Sequence, residues 1–187
     1  HYLTRSLYAY VLEGYQLYDK LFDHYFSENG EKAMNDSEVL AYADEYYYHT
    51  KHILIYPNTS MTESEYENRL DTILKEAVNS DNFDEIIAKY SNDTAMPEYG
   101  CYFTEGEKTD NYVDACRELD EGEISDLIKT SDGWYIIQRL PMNKEDISVL
   151  RDIIYNRKYS DMIEKKIASV NVEYTAEYDL VAPETVK

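Results

Sequence analysis

Thr50-Lys51-His52-Ile53-Leu54-Ile55-Tyr56 is a short, mostly apolar run that carries a histidine in its first half and stops at Pro57. A run of this length, rich in isoleucine and bounded by a proline, reads as a strand. A second run, Trp134-Tyr135-Ile136-Ile137, follows the turn signal Ser131-Asp132-Gly133 and reads as the returning arm of a hairpin. Strand alternation puts Ile53 and Ile55 on one face and His52 on the other. The two runs are therefore expected to be strands of one small sheet, with His52 in its cleft.

Outward from these strands the periodicity is helical. Leu3, Leu7, Tyr10, Leu17 and Leu21, with a parallel row at Val11, Tyr15, Tyr18, Phe22 and Phe26, predict one long helix over 2–27 with a wide apolar face, ended by Asn29-Gly30. Asn35 with Glu38 three residues on predicts the start of a second helix that buries Val39, Leu40, Ala43 and Tyr47. Beyond the first strand, Thr62-Glu63-Ser64-Glu65 is a capping box for a helix burying Tyr66, Leu70, Ile73, Leu74 and Ala77. A short helix follows Asn82, with Phe83, Ile86, Ile87 and Tyr90 inward. Next come the polar loop 91–94, a short strand around 101–103, and a small helix capped by Asp110 that presents Tyr112, Val113 and Cys116. A strand over 126–130 feeds the hairpin, and a helical period returns from 144 to 170. Val172 and Tyr174 read as a short final strand before a loose tail from 181.

The order predicts an α+β fold with a small antiparallel or mixed sheet in the sequence β-α-α-β-α-β-β. The terminal helices, having no evident partner inside that block, are expected to pair with each other as a helical lobe. The domains so drawn are 1–48 as an N-terminal arm, 49–141 as the central block, and 142–187 as a C-terminal helix and tail returning to the arm.

Composition narrows the partners. Thirty-eight acidic against 18 basic residues give a formal net charge of -20, which repels a phosphate backbone and argues against nucleic acid. Tyrosine occurs 21 times, phenylalanine 4 times and tryptophan once, a choice that suits half-wet contact surfaces. No apolar run approaches the roughly 20 residues needed to span a bilayer. Residue 1 is not a methionine and opens directly into a helical pattern, so the chain is expected to be a segment of a longer protein, with room for a membrane anchor outside it. Cys101 and Cys116 form neither a disulfide framework nor a metal-ligand spacing, and whether they pair is open. His1, His24, His49 and His52 also lack ligand spacing, and no metal or cofactor is expected.

The central block resembles the parvulin-type peptidyl-prolyl isomerases. Lys51 to Ile55 is similar to that family's first strand, and Phe83-Asp84-Glu85-Ile86-Ile87-Ala88-Lys89-Tyr90-Ser91 to its F-x-x-[LI]-A-x-x-[YF]-S helix. Leu119-x-x-Gly122-Glu123-Ile124-Ser125 resembles its L-x-x-G-E-[IV]-S turn, and Thr130-x-x-Gly133-Trp134-Tyr135-Ile136-Ile137 its closing hairpin. The helices that flank the block further resemble the layout of extracytoplasmic foldases of the PrsA and SurA kind.

That resemblance implies assisted rotation about X-Pro bonds in exported polypeptides, without cofactor or covalent intermediate. It implies catalytic places for His52, Asp93, Thr130 and Tyr135, with Thr130 orienting His52, and substrate contacts at Tyr112, Phe103, Tyr102 and Lys108. Read without the family, His52 is equally a half-buried histidine in a local hydrogen bond, Asp93 an Asx-turn aspartate, and the aromatics core residues. Two positions depart from the family pattern: Lys108 stands where a pocket methionine is usual, and Tyr135 where a second histidine is usual. The loop 56–62 contains no lysine or arginine, so phosphate-directed recognition is not expected. The expected partners are unfolded or extended proline-containing polypeptides, with a homodimer also allowed, and the expected location is extracytoplasmic. The alternative is a non-catalytic chaperone with a degenerate cleft.

Overall fold

The computed structural model describes residues 4–171. The expected helix start at Tyr2 and Leu3, the expected strand at Val172 and Tyr174, and the tail from 181 lie outside the described residues.

The chain runs α1 (Arg5–Phe26), α2 (Asp36–Tyr46), β1 (Tyr48–Ile55), α3 (Glu63–Asn79), α4 (Phe83–Tyr90), β2 (Cys101–Phe103), α5 (Asp110–Glu118), β3 (Ile128–Lys129), β4 (Trp134–Arg139), a 3-10 turn (Lys144–Asp146) and α6 (Ile147–Ala168). The strands form one antiparallel sheet in the order β2-β1-β4-β3. β1 is central, pairing Tyr48–Thr50 with β2 and Thr50–Ile55 with β4. The α+β reading and the β-α-α-β-α-β-β order hold.

Local chemistry sets the helix starts. Asn35 with Glu38, and Thr62 with Glu65, each form a reciprocal capping box that satisfies two of the backbone N–H groups a helix start leaves free. Asn82 accepts from the Asp84 N–H while its amide donates to the Glu85 carboxylate. The cap of α5 differs from expectation. Thr109, not Asp110, occupies the extended capping position, and Asp110 is the first helical residue, where its charge still faces the positive end of the helix dipole.

β3 is also shorter than the expected 126–130. The Ser125 hydroxyl takes the Ile137 N–H at 2.9 Å, and the Ser125 N–H donates to the Ile137 carbonyl at 2.8 Å. A side chain thus fills one rung of the ladder, and pairing resumes only at Ile128.

Each face of the sheet has its own cover. Ile53, Ile55 and Ile136 pack with Leu70, Ile73 and Ala77 of α3 and Phe83 of α4. On the opposite face, Phe103 and Ile137 pack with Tyr112, Val113 and Cys116 of α5. Gly133 enables the hairpin: it sits at φ +151°, and a Cβ there would lie 2.6 Å from the Ile55 carbonyl oxygen.

The third core joins Phe26 of α1 and Val39 and Ala43 of α2 to Tyr47 and to Leu150, Ile154, Tyr155 and Tyr159 of α6. The terminal helices do meet, but not as a lobe without partners in the central block. Tyr102 of β2 belongs to this core, its hydroxyl donates to Asp146 at 2.8 Å, and Arg157 of α6 reaches Glu107 at 2.6 Å. The wide apolar face expected of α1 is buried only in its last turns. Tyr8, Tyr10, Val11, Leu12, Tyr15, Leu17 and Tyr18 are all exposed.

Candidate active site

The face of β1 opposite Ile53 and Ile55 carries Thr50 and His52, two residues apart and therefore on the same side. Thr50 is fully buried and His52 is 1% exposed. Directly across from Thr50 in β2 is Cys101, and Phe103 follows on the same face. α5 lays Tyr112, itself 1% exposed, over this row.

The three buried polar groups satisfy one another. The Tyr112 hydroxyl lies 3.0 Å from Thr50 Oγ1 and 3.1 Å from His52 Nδ1, and His52 Nε2 lies 3.1 Å from Asp93 Oδ2. Asp93 arrives there because its loop adds to the edge of β1 that β2 leaves open. Asn92 N–H donates to the Leu54 carbonyl at 2.7 Å, Leu54 N–H to the Ser91 hydroxyl at 3.1 Å, and Tyr56 N–H to Asn92 Oδ1 at 2.9 Å. The other Asp93 oxygen accepts the Ala95 N–H at 2.9 Å. The Asx turn and the contact to His52 are thus made by a single carboxylate.

Charge and burial order the protons. Burial is the main influence on His52 and holds its pKa below the ordinary value, with the Lys108 charge acting the same way and the Asp93 contact opposing both. Burial also works against the charged form of Asp93, but the Ala95 N–H and the His52 contact outweigh it and keep the carboxyl below its usual range. A neutral His52 beside an ionised Asp93 must donate from Nε2, because a carboxylate only accepts. Nδ1 then accepts from the Tyr112 hydroxyl, and Tyr112 in turn accepts from Thr50. Burial keeps the Tyr112 phenol protonated, well above its usual range. The result is a directed chain, Thr50 to Tyr112 to His52 to Asp93, with every buried member paired.

Above this dry layer lie the groups a substrate can meet. The Asp93 side chain is 27% exposed. The Tyr135 ring meets His52 edge to face at 5.1 Å and Tyr112 at 5.2 Å. The Lys108 ammonium sits 5.6 Å from the Tyr112 ring centroid and 5.9 Å from that of Phe103, so it faces into this cluster, over the aromatic floor.

Of the residues named from the sequence, the structure brings His52, Asp93, Tyr112, Phe103, Lys108 and Tyr135 together. It does not bring Thr130 to His52. The Thr130 hydroxyl caps the hairpin turn, donating to the Gly133 carbonyl at 3.1 Å and accepting the Asp132 N–H at 3.2 Å. Orientation of His52 comes instead from Tyr112 and Asp93. Tyr102 is a second correction, since alternation turns it to the opposite face. There it stacks on His49 at 4.0 Å and enters the helical core.

Thr50 and Cys101 were missed. Thr50 was legible as the same-face neighbour of His52, whereas Cys101 required the β1–β2 register. Its free, half-buried thiol lies within electrostatic reach of Asp93 and Lys108. Among the described residues no cluster of His, Cys, Asp and Glu is arranged to hold a metal ion.

The family profile of the PPIC-type PPIase domain matches residues 39–141, more than half the chain. Among curated relatives, the chaperone SurA of Methylococcus capsulatus is 27% identical over 122 residues, covering 64% of this chain and 26% of the relative. The chaperone SurA of Nitrosococcus oceani is 27% identical over 139 residues, covering 70% and 33%. The chain thus spans about a quarter to a third of the length of these relatives. Among solved structures, PrsA from Bacillus subtilis is 20% identical with a TM-score of 0.43, covering 93% of this chain and 68% of that one. The solution structure of TbPIN1 is 21% identical with a TM-score of 0.45, covering 51% and 97%.

Proposed function

The chain belongs to the PPIC-type peptidyl-prolyl isomerase family, and from that premise we propose that it accelerates cis/trans exchange of X-Pro bonds in extended polypeptides, without cofactor or covalent intermediate. The observation that supports this reading is the directed chain from Thr50 to Asp93, which holds a partly exposed carboxylate at the edge of an aromatic cluster.

Unaided rotation faces about 18–20 kcal/mol and takes roughly tens to hundreds of seconds at X-Pro bonds. No bond breaks, so a catalyst has to favour the twisted imide over the planar one. In the twisted state the nitrogen regains its lone pair and the carbonyl oxygen loses negative charge. A fixed carboxylate beside that oxygen, Asp93, destabilises the planar, charge-separated form and so favours twisting. His52 is a positioning residue, since it is buried and its proton is committed to Asp93. Tyr135 offers aromatic surface for the proline ring, Phe103, 3% exposed, supports it from beneath, and Lys108 sets the charge over that cluster.

The clients on this reading are unfolded or extended, proline-containing segments, with no phosphate requirement because the loop 56–62 has no cationic side chain. The exposed tyrosine-rich first half of α1 is the surface that holds them. An extracytoplasmic location follows from the resemblance to foldases of the PrsA and SurA kind. Among the described residues no helix is long and apolar enough to cross a membrane.

The test is exchange spectroscopy of an Ala-Pro peptide with catalytic amounts of the protein. Exchange should quicken with protein concentration, and Asp93→Ala should remove most of the gain. No acceleration at high protein concentration would refute the reading.

A further inference from the structure

At the opposite end of β1 from Asp93, α2, α5, β4 and α6 surround a cavity of about 650 Å³. Tyr48 is four residues from His52, so the cavity begins about 13 Å along the strand at roughly 3.3 Å per residue. Its walls include Tyr47, Tyr48, Thr104, Arg117, Arg139 and Arg157.

Two of its polar groups are left wanting. The Tyr47 hydroxyl is the buried side-chain polar atom without a hydrogen-bond partner among the described residues, on a residue 3% exposed. Burial pushes its pKa up to about 12, so at neutral pH it is a donor without an acceptor. A buried hydroxyl left without a partner keeps its full desolvation penalty.

The second is Arg139. Arg117 is engaged by Glu105 and Asp114, and Arg157 by Glu107. Arg139 has no carboxylate partner among the described residues. One of its five donors goes to the Cys116 carbonyl at 3.1 Å, and its guanidinium lies 4.7 Å over the Tyr48 ring. In a chain with 38 acidic residues, a half-buried guanidinium held over an aromatic face and without an ion-pair partner among the described residues is suited to bidentate capture of a carboxylate.

We propose that this cavity binds a carboxylate carried on a polypeptide segment, with Arg139 taking the carboxylate and Tyr47 donating to the same ligand. The volume is that of a pocket for a sizeable organic ligand rather than a lone ion. Asp44 and Glu45 also line it and disfavour a multiply charged anion such as phosphate. The tyrosine faces suit an uncharged remainder. The assignment does not rest on the isomerase reading.

The test is isothermal titration of the 187-residue chain with the tripeptide acetyl-Ala-Ala-Tyr bearing a free terminal carboxylate. Its amide, the amidated peptide acetyl-Ala-Glu-Tyr and inorganic phosphate complete the panel. The free acid or the glutamate peptide should bind, their ratio separating a chain terminus from an acidic side chain as the source. The acetyl-Ala-Ala-Tyr amide should bind at least tenfold more weakly. Arg139→Gln should lower affinity at least tenfold while leaving Ala-Pro exchange unchanged. Tyr47→Phe, which removes an unpaired hydroxyl, should weaken binding severalfold with thermal stability equal or higher, so a folding defect cannot account for the loss. Absence of binding, equal affinity for the acid and both amides, wild-type affinity in Arg139→Gln, or equal competition by phosphate would each overturn the proposal.

Discussion

Replacing Tyr112 by phenylalanine removes one oxygen from the centre of the site and nothing from its packing. That oxygen accepts from Thr50 at 3.0 Å and donates to His52 Nδ1 at 3.1 Å, inside a layer where Thr50 is 0% and His52 1% exposed. The variant leaves a donor and an acceptor both buried and both unpaired. Each such group costs about 1–3 kcal/mol, partly offset because the tyrosine's own hydroxyl no longer has to be buried. The expected loss is about 2–4 kcal/mol, a large fraction of the roughly 5–15 kcal/mol that holds a typical domain folded.

Urea unfolding followed by circular dichroism measures it. With a slope of about 2 kcal/mol/M the midpoint should fall by roughly 1–2 M. Thr50→Val in the same chain removes the stranded donor, so the double variant should be about 1 kcal/mol or more better than the sum of the single losses. A Tyr112→Phe loss below about 0.5 kcal/mol, the size of an ordinary surface substitution, would refute the directed chain.

Acid should destabilise the fold. Because the pKa of His52 is depressed in the folded state, the unfolded chain takes up the proton first, and stability is lost as pH falls below about 6.5. The depressed carboxyl of Asp93 adds a further loss in the lower, carboxylate range. His52→Gln should flatten the urea midpoint between pH 7 and 5, and an unchanged slope would count against the assignment. Lys108→Met removes the charge over the Phe103 and Tyr112 rings. It should lower KM for an Ala-Pro peptide and shrink the acid loss below about pH 6.5, since that charge helps depress His52 and its removal brings the folded pKa back toward the unfolded one; an unchanged KM would place Lys108 outside the seat. Gly133→Ala forces a Cβ to 2.6 Å from the Ile55 carbonyl at a left-handed φ. It should cost about 2–4 kcal/mol by thermal or urea unfolding.

The fold was legible where short-range rules decide it. Capping boxes at Asn35 and Thr62, alternation in β1, and the Asp132-Gly133 turn need only a few neighbouring residues, and each stands as read. What was not legible depends on contacts distant in sequence. The Ser125 hydroxyl replaces a backbone rung because Ile137 lies opposite it. Tyr102 leaves the cleft because three-residue β2 alternates and α6 covers the other face. Thr130 is the exception: neighbours two and three residues on, Asp132 and Gly133, draw its hydroxyl into its own turn. Periodicity also promised α1 a buried stripe, but it cannot say where the partner stops. Among the described residues α6 and α2 meet α1 from Tyr18 onward, where the Tyr159 hydroxyl donates to the Tyr18 carbonyl, and then at Leu21, Phe22, Tyr25 and Phe26.

The same distinction separates the two layers of the candidate site. His52 and Tyr112, the residues the family resemblance would put first, are the least accessible, and their hydrogen bonds are spent on one another. The bland reading of each, a satisfied buried histidine and a core aromatic, is therefore physically true. Yet it does not compete with the functional reading, because what the buried pair stabilises is the position and charge of Asp93. The loop 91–93 has its own reasons to dock on β1, through Asn92 and Ser91, but these backbone contacts do not orient a carboxylate. His52 Nε2–H does. Asp93 is thus held on one oxygen by a donor that cannot leave and on the other by the Ala95 N–H, with 27% of its side chain still exposed. A carboxylate fixed this way costs no reorganisation when a planar imide approaches it, and that is the condition electrostatic catalysis of a bond rotation requires.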